Sequence, residues 1–246
     1  MIICRLIFIL FWLCPIQGQS QELIWEKKIP LSTYESFTCI TKTSTGSYIA
    51  MGNSFRWRVL NPNVIGGIIL SNFNENGDTL WTKWTGYYGG ANKVVNDDLG
   101  NFYALIGYQD TLLNKFKWGI YIFNEDGQSL GIIPIQTTGT NTLLDMEYRN
   151  GFIWISGQKN PSIFYPSVAG SFDFLLMKLR TDGTEVFSFV YNANEASSRG
   201  RMMEFMPNGN ILFSGTAGTK LCAFEIDTAG NQIQYRSFFT NPLNAG

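Results

Sequence analysis

One glycine-centred pattern recurs along the chain, and it narrows the fold more than any other feature. It consists of an apolar run, a short turn ending in glycine, and a second apolar run: IILSNFNENGDTLW at 68–81, IYIFNEDGQSLGII at 120–133, LLMKLRTDGTEVFSF at 175–189 and CAFEIDTAGNQIQY at 222–235. The turn glycines are Gly77, Gly127, Gly183 and Gly230. Four residues before each stands Phe73, Phe123, Leu179 or Ile226, and three after it Leu80, Leu130, Val186 or Ile233. A second pattern alternates with the first: TGSYIAMG at 45–52, LGNFYALIG at 99–107, NGFIWISG at 150–157 and NGNILFSG at 208–215, turning at Gly46, Gly100, Gly151 and Gly209. Spacings of 54, 51 and 58 residues in this set, and 50, 56 and 47 in the first, give one structural unit per about 53 residues.

Asn-Gly and Asp-Gly pairs between apolar runs signal hairpins, because a type I′ turn needs positive φ at both central residues. Asn76-Gly77, Asp126-Gly127, Asp182-Gly183, Asn150-Gly151 and Asn208-Gly209 have that form and predict type I′ turns. Each repeat then holds two hairpins, A to B and C to D, which is the four-strand content of a β-propeller blade. No segment keeps a 3.6-residue apolar period, so almost no helix is expected. A β-solenoid is the competing fold, but its coils advance in one direction, whereas tight turns reverse the chain. The prediction is an all-β chain forming a β-propeller of four-stranded antiparallel blades, about four to five of them present.

The repeat units fall at 23–79, 80–129, 130–185 and 186–232, with the start of a further one at 233–246. Strands of the D type number five, at 23–29, 80–84, 130–135, 186–191 and 233–238, against four A-B-C sets. These unequal counts predict a piece of a longer, incomplete propeller. The alternative is a small or open propeller whose edges are covered, since bare edges invite aggregation.

The first 18 residues read as a secretory signal peptide. Arg5 is their only charge, and the apolar stretch 6–16 is shorter than the roughly 20 helical residues that span a bilayer. Gln17, Gly18 and Ser20 supply a polar, small-residue exit. Residues 19–246 are then the propeller domain, secreted or held at the cell surface, with no membrane span after signal removal. A lipoprotein cysteine at Cys14 is disfavoured by the bulky Phe11, Trp12 and Leu13 before it. Removal of Cys4 and Cys14 leaves Cys39 and Cys222, each in an apolar strand-like run. That reads as two small buried thiols, with a single bridge as the alternative.

The two motifs resemble the tandem-repeat propellers of secreted and surface proteins from Bacteroidetes-type bacteria, whose blades read roughly "DGGYIVAG … FWLVKLDSNGDLLWSKTYGG". The matching segments are 45–52, 68–90, 174–189 and 208–215, and ELIWEKKIP at 22–30 matches the family's outer-strand run. The resemblance covers nearly all of 22–240 and implies an exported propeller. Such proteins often end in a C-terminal sorting or adhesion domain, which these residues do not include. Quinoprotein propellers carry a tryptophan after the turn in every blade; here Trp81 is followed by Gly131, Phe187 and Gln234, so no quinone cofactor is expected. Sialidase-type Asp boxes need an aromatic three residues after the glycine, and here it falls at four, as in Trp81 after Gly77 and Phe187 after Gly183, so that activity is not supported. The run Asn72, Asn74, Asn76, Gly77 hints at a calcium loop, but Lys83 stands where the bidentate Glu belongs, so it reads as a turn without metal.

Lys plus Arg number 18 against 19 Asp plus Glu, so there is no basic field to draw in nucleic acid. The chain has no histidine, which excludes Ser-His-Asp triads, Cys-His pairs and His-based zinc or haem sites. In a propeller the short A-B and C-D turns lie on one side and the longer connections on the other, and long loops on a rigid scaffold are where binding concentrates. Those loops carry Arg56, Trp57, Tyr87, Tyr88, Phe164, Tyr165 and Arg199, the candidate ligand-binding residues for a glycan or protein partner. A carboxylate-based polysaccharide hydrolase or lyase would need two acids about 5 to 10 Å apart. The loop acids are sparse, Asp110 and Glu195, with Asp97 and Asp98 near a turn and Asp173 entering a strand, so no catalytic residue is assigned. The expectation is a non-catalytic exported binding module, with a carboxylate enzyme or a structural spacer as alternatives.

Overall fold

The computed structural model describes residues 35–54, 66–110, 112–113, 115–136, 141–159, 173–192 and 198–239. Residues 1–18, for which a signal peptide is expected, and the candidate residues Arg56, Trp57, Phe164 and Tyr165 lie outside them. Fifteen strands follow one another in the order β1 (Glu35–Lys42), β2 (Tyr48–Ser54), β3 (Gly67–Phe73), β4 (Thr79–Asn96), β5 (Asn101–Asp110), β6 (Lys115–Asn124), β7 (Ser129–Ile135), β8 (Thr142–Arg149), β9 (Phe152–Lys159), β10 (Asp173–Arg180), β11 (Glu185–Tyr191), β12 (Ser198–Phe205), β13 (Ile211–Ala217), β14 (Lys220–Ile226) and β15 (Gln232–Phe239). Among the described residues the pairings are antiparallel between sequence neighbours, reversing at each turn as a solenoid coil does not. No helix occurs among the described residues.

β4 belongs to two units at once. Its first half pairs with β3 and its second half with β5, so the seven-stranded sheet β1 to β7 is two four-stranded units joined through one strand. The chain bends there at Gly86 and Gly89, both at positive φ. Sheets I (β1, β2, β3, first half of β4), II (second half of β4, β5, β6, β7), III (β8 to β11) and IV (β12 to β15) thus repeat one meander.

Every A strand carries a bulge at the same place, between Phe37 and Cys39, Ala91 and Lys93, Leu143 and Asp145, and Gly200 and Met202. A bulge leaves one residue unpaired and re-aims it. The extra residues of sheets I and II use that freedom to bond to the next sheet: Thr38 Oγ1 donates to the Ala91 carbonyl at 2.6 Å and Asn92 Nδ2 to the Leu143 carbonyl at 2.5 Å. Sheets III and IV are tied in the opposite sense, the Met203 amide donating to Asp145 Oδ2 at 2.9 Å. Consecutive A strands therefore form a hydrogen-bonded inner edge. Gly157 is small because the bulge crowds it: a Cβ there would meet the Thr142 carbonyl oxygen at 2.2 Å.

The apolar alternation of the strands fills three cores, one between each pair of consecutive sheets. Ile49, Met51, Ile68 and Leu70 of sheet I meet Phe102, Ala104, Ile106 and Phe123 of sheet II. Tyr103, Leu105 and Ile120 of sheet II meet Ile153, Ile155, Leu175 and Met177 of sheet III. Trp154, Phe174 and Leu176 of sheet III meet Ile211, Phe213, Cys222 and Phe224 of sheet IV. Each fully buried side chain of this size contributes about 1.5–3 kcal/mol, so a sheet gains its stability from its neighbours. Cys39 packs against the first core and Cys222 lies in the third, both unbridged, and burial pushes both thiols up to about 11.

The turns differ from the type I′ expectation in all but one case. Asn150 and Gly151 both have positive φ, 53° and 79°, and Arg149 pairs directly with Phe152, as a two-residue I′ hairpin requires. At Asn76, Asp126, Asp182 and Asn208 only the following glycine is at positive φ. There the glycine amide bonds to the carbonyl three residues back, as from Gly77 to Asn74 at 3.0 Å, which is a type I turn closed by a glycine bulge. At Asn74 and Asn124 an Asx residue at the turn's first position supports this form, whereas Arg180 and Met206 hold that position in the other two turns, where Asp182 Oδ1 accepts from the Thr184 amide and Asn208 Oδ1 from the Asn210 amide. Asn74 Oδ1 accepts from the amides of Asn76 and Asp78, and Asp97 and Asp227 do the same in their own turns.

Candidate functional site

Of the residues proposed from sequence for the long-loop face, the structure describes Tyr87, Tyr88 and the backbone of Arg199. Tyr87 turns inward against the first core, its ring edge-on to Tyr108 at 5.3 Å and Tyr121 at 5.8 Å, and burial raises the affinity of its phenol for the proton. Tyr88 pairs across the sheet with Gly67 and lies 5.7 Å from the ring of Trp84, which is 40% exposed. Arg199 sits on β12 opposite Thr216. Asp110 is bound up locally: it accepts from Lys117 at 2.6 Å and from the amides of Leu112 and Leu113, and the Lys117 hydrogen bond holds its carboxyl below the usual range.

Two clusters of charge stand out instead, neither on the long loops. The first lies on the inner edge. Lys93 of sheet II reaches Asp145 Oδ1 and Glu147 Oε1 of sheet III, each at 3.1 Å. Asp145 and Glu147 share a face because they stand two residues apart on β8. Asp145 is itself buried and also accepts from the Met146 and Met203 amides. Burial lowers the proton affinity of Lys93, but the two carboxylates outweigh it and raise its pKa overall. Burial raises that of Glu147, with Lys93 offsetting part of the effect and the charges of Asp145 and Glu204 adding to it. Among the described residues no group of three or more His, Cys, Asp or Glu is placed to hold a metal ion.

The second cluster lies between sheets III and IV, beside the short turns. A cavity of about 210 Å³ is lined by Arg149, Phe152, Trp154, Lys178, Phe205 and Thr228, among others. Lys178 Nζ stands 4.2 Å from the ring centre of Phe152 and 4.6 Å from that of Trp154, and the Arg149 guanidinium 4.5 Å from that of Phe205. Trp154 and Phe205 meet edge to face at 5.4 Å, so the rings over which the two cations stand adjoin. Among the described residues neither cation has a carboxylate partner. The repeat explains the cavity. Lys178 stands five residues before its turn glycine, where the other sheets carry Asn72, Ile122 and Glu225. Ile122 packs against the core between sheets II and III; a lysine at that register ends in a charge and keeps the end of its own interface open.

No protein-family model matches this sequence, and no curated protein matches it either. Solved structures share its fold. A putative 6-phosphogluconolactonase from Bacteroides uniformis is similar with a TM-score of 0.51 at 15% identity, over 82% of this chain and 57% of that one. A GH43 β-1,3-galactosidase is similar with a TM-score of 0.50 at 11% identity, over 79% of this chain and 73% of that one. A Bacteroides caccae protein of unknown function has a TM-score of 0.44 at 12% identity, over 76% of this chain and 57% of that one. The chain thus spans between about half and three quarters of the length of these structures. The class is an all-β, propeller-like array of antiparallel sheets, in keeping with the Bacteroidetes-type repeats that the motifs resemble.

Proposed function

We propose that this chain is an exported, non-catalytic propeller module that binds a glycan, its four described sheets being consecutive blades. The observation that carries this reading is the open, ring-walled cavity between sheets III and IV, whose two cations find no acid among the described residues. Apolar walls with a few placed polar groups are the usual makeup of small-molecule sites. At about 210 Å³ the cavity lies below the roughly 300–1,000 Å³ of clefts that enclose drug-sized ligands, a size for one sugar unit of a longer chain. The galactosidase of the same fold acts on a galactoside, and the use of such a scaffold for carbohydrate supports the reading. The exported location rests on the signal-like first 18 residues. The test is calorimetric titration of the purified chain with a panel of oligosaccharides. Saturable binding that Phe205→Leu weakens supports the proposal, whereas no binding across the panel, or binding only to protein baits, overturns it.

A second reading follows from the inner edge. Two carboxylate oxygens each 3.1 Å from Lys93 Nζ lie no more than about 6 Å apart, near the roughly 5–5.5 Å of retaining glycosidases, and the raised pKa of Glu147 is what a general acid needs. Against it, Lys93 and the two backbone amides already occupy the pair. Release of reducing ends that vanishes in both Glu147→Gln and Asp145→Asn would establish the enzyme and displace the binding module.

A further inference from the structure

From the cavity between sheets III and IV we infer that the glycan bound there is anionic, a pyranose bearing a carboxylate or sulfate group. This rests on the glycan reading and adds the charge of the ligand. Lys178 and Arg149 are each held over rings of one wall, Lys178 over Phe152 and Trp154 and Arg149 over Phe205, and both line the same cavity. Elsewhere the protein pairs cations with acids, Lys93 on the inner edge with Asp145 and Glu147 and Lys117 at the surface with Asp110. The ring faces stabilise Lys178 and Arg149 through the ring quadrupole, but they leave the N–H donors of both groups without a charged acceptor. Trp154 is 2% exposed and its face is covered by Lys178, so it cannot offer that face to a sugar. The free capacity of the cavity is therefore in its charged donors. A carboxylate or sulfate reaching both cations would complete them with charge-assisted hydrogen bonds, which are about twice as strong as neutral ones. Arg149 supplies a planar fork suited to two oxygens, and Lys178 a second, point-like charge. Beside them, Thr228 brings a hydroxyl from the C-D turn of sheet IV, a neutral donor and acceptor suited to a ring hydroxyl.

The test titrates the purified full chain at low salt with tetragalacturonate, a sulfated galactose tetrasaccharide and neutral galactotetraose. Binding of either charged oligomer at least about tenfold tighter than the neutral one is expected, falling as salt is raised. The tighter of the two assigns the anion as carboxylate or sulfate. Lys178→Gln and Arg149→Gln should each weaken that binding about ten- to a hundredfold, Lys178→Arg should keep most of it, and Lys42→Gln, an exposed cation of sheet I, should leave it unchanged. Far-UV dichroism melts of each variant separate loss of the site from loss of the fold, and the retained binding of Lys178→Arg keeps the test decisive if a glutamine variant unfolds. Equal binding of the neutral oligomer overturns the anionic assignment while the glycan reading stands. Charged-oligomer binding indifferent to both glutamine variants overturns the site. Failure of all three oligomers overturns the glycan reading with it.

Discussion

Lys93 and Lys178 are both lysines on strands facing the next sheet, yet their surroundings are opposites. Lys93 closes a circuit. Its charge is shared between Asp145 and Glu147 at 3.1 Å each, and Asp145 in turn takes the Met203 amide of sheet IV. One cluster thus couples three sheets. Lys178 lies over the rings of Phe152 and Trp154 and is left with donors to spare. Charge neutralised by the chain itself holds sheets together, whereas the cation over Phe152 and Trp154 has no acid among the described residues, which is the feature the proposed glycan site rests on.

Removing each charge in turn should cost the fold very different amounts. Lys93→Met strands two carboxylates on the inner edge, one of them buried. Full burial of a broken pair costs about 3–5 kcal/mol and full exposure about 0–1; at 33% side-chain exposure for Lys93, a loss of roughly 2 kcal/mol in urea unfolding is expected. Lys178→Met removes only cation–ring attraction, and about 1 kcal/mol or less should go. If the two variants lose the same stability, Lys178 is a structural residue like Lys93 and the contrast collapses.

The pH dependence sharpens the same comparison. Burial raises the pKa of Glu147 in the folded protein, so the folded state holds its proton more tightly than the unfolded chain. Its contribution is then fully present below the ordinary glutamate value and is lost as pH rises through the raised one. Unfolding midpoints should therefore show a component that improves as pH falls from 7 toward the ordinary carboxylate range, and Glu147→Gln should abolish that component while leaving Lys93 paired to Asp145. A profile in Glu147→Gln with the same slope would place the titrating group elsewhere.

How much of this was legible in the sequence follows from how local each signal is. The glycine turns and apolar runs placed the hairpins, because a hairpin is decided within about ten residues. Where Arg180 and Met206 hold the turn's first position the sequence carries no sign of turn type, but Asn74 and Asn124 act from it, three residues before the glycine. That spacing was visible and points to type I turns. The inner-edge cluster was harder, since Lys93 and Asp145 are 52 residues apart in apolar strands and meet only through the A-strand bulges. The sole local hint was two acids at period two in LLDMEY. The cavity could have been suspected by aligning the repeats on their turn glycines, where Lys178 replaces the core isoleucine Ile122.

The smallest expected effect tests how Arg149 is held in place. It precedes the one I′ turn, and Asn150 occupies a left-handed φ of 53° that asparagine tolerates and alanine does not. Asn150→Ala should cost roughly 0.5–1 kcal/mol of stability, while Asn150→Gly, which adopts that φ freely, should be close to neutral. Asp126→Ala, at a turn where only the glycine is left-handed, should cost less than Asn150→Ala. Because Arg149 reaches Phe205 from the last residue before this turn, a backbone shift in Asn150→Ala should also weaken anionic-oligomer binding, and Asn150→Gly should restore it. Equal binding in both variants would mean that the ring of Phe205, and not the I′ geometry, fixes the guanidinium, so that the cavity owes its second cation to packing across the sheets.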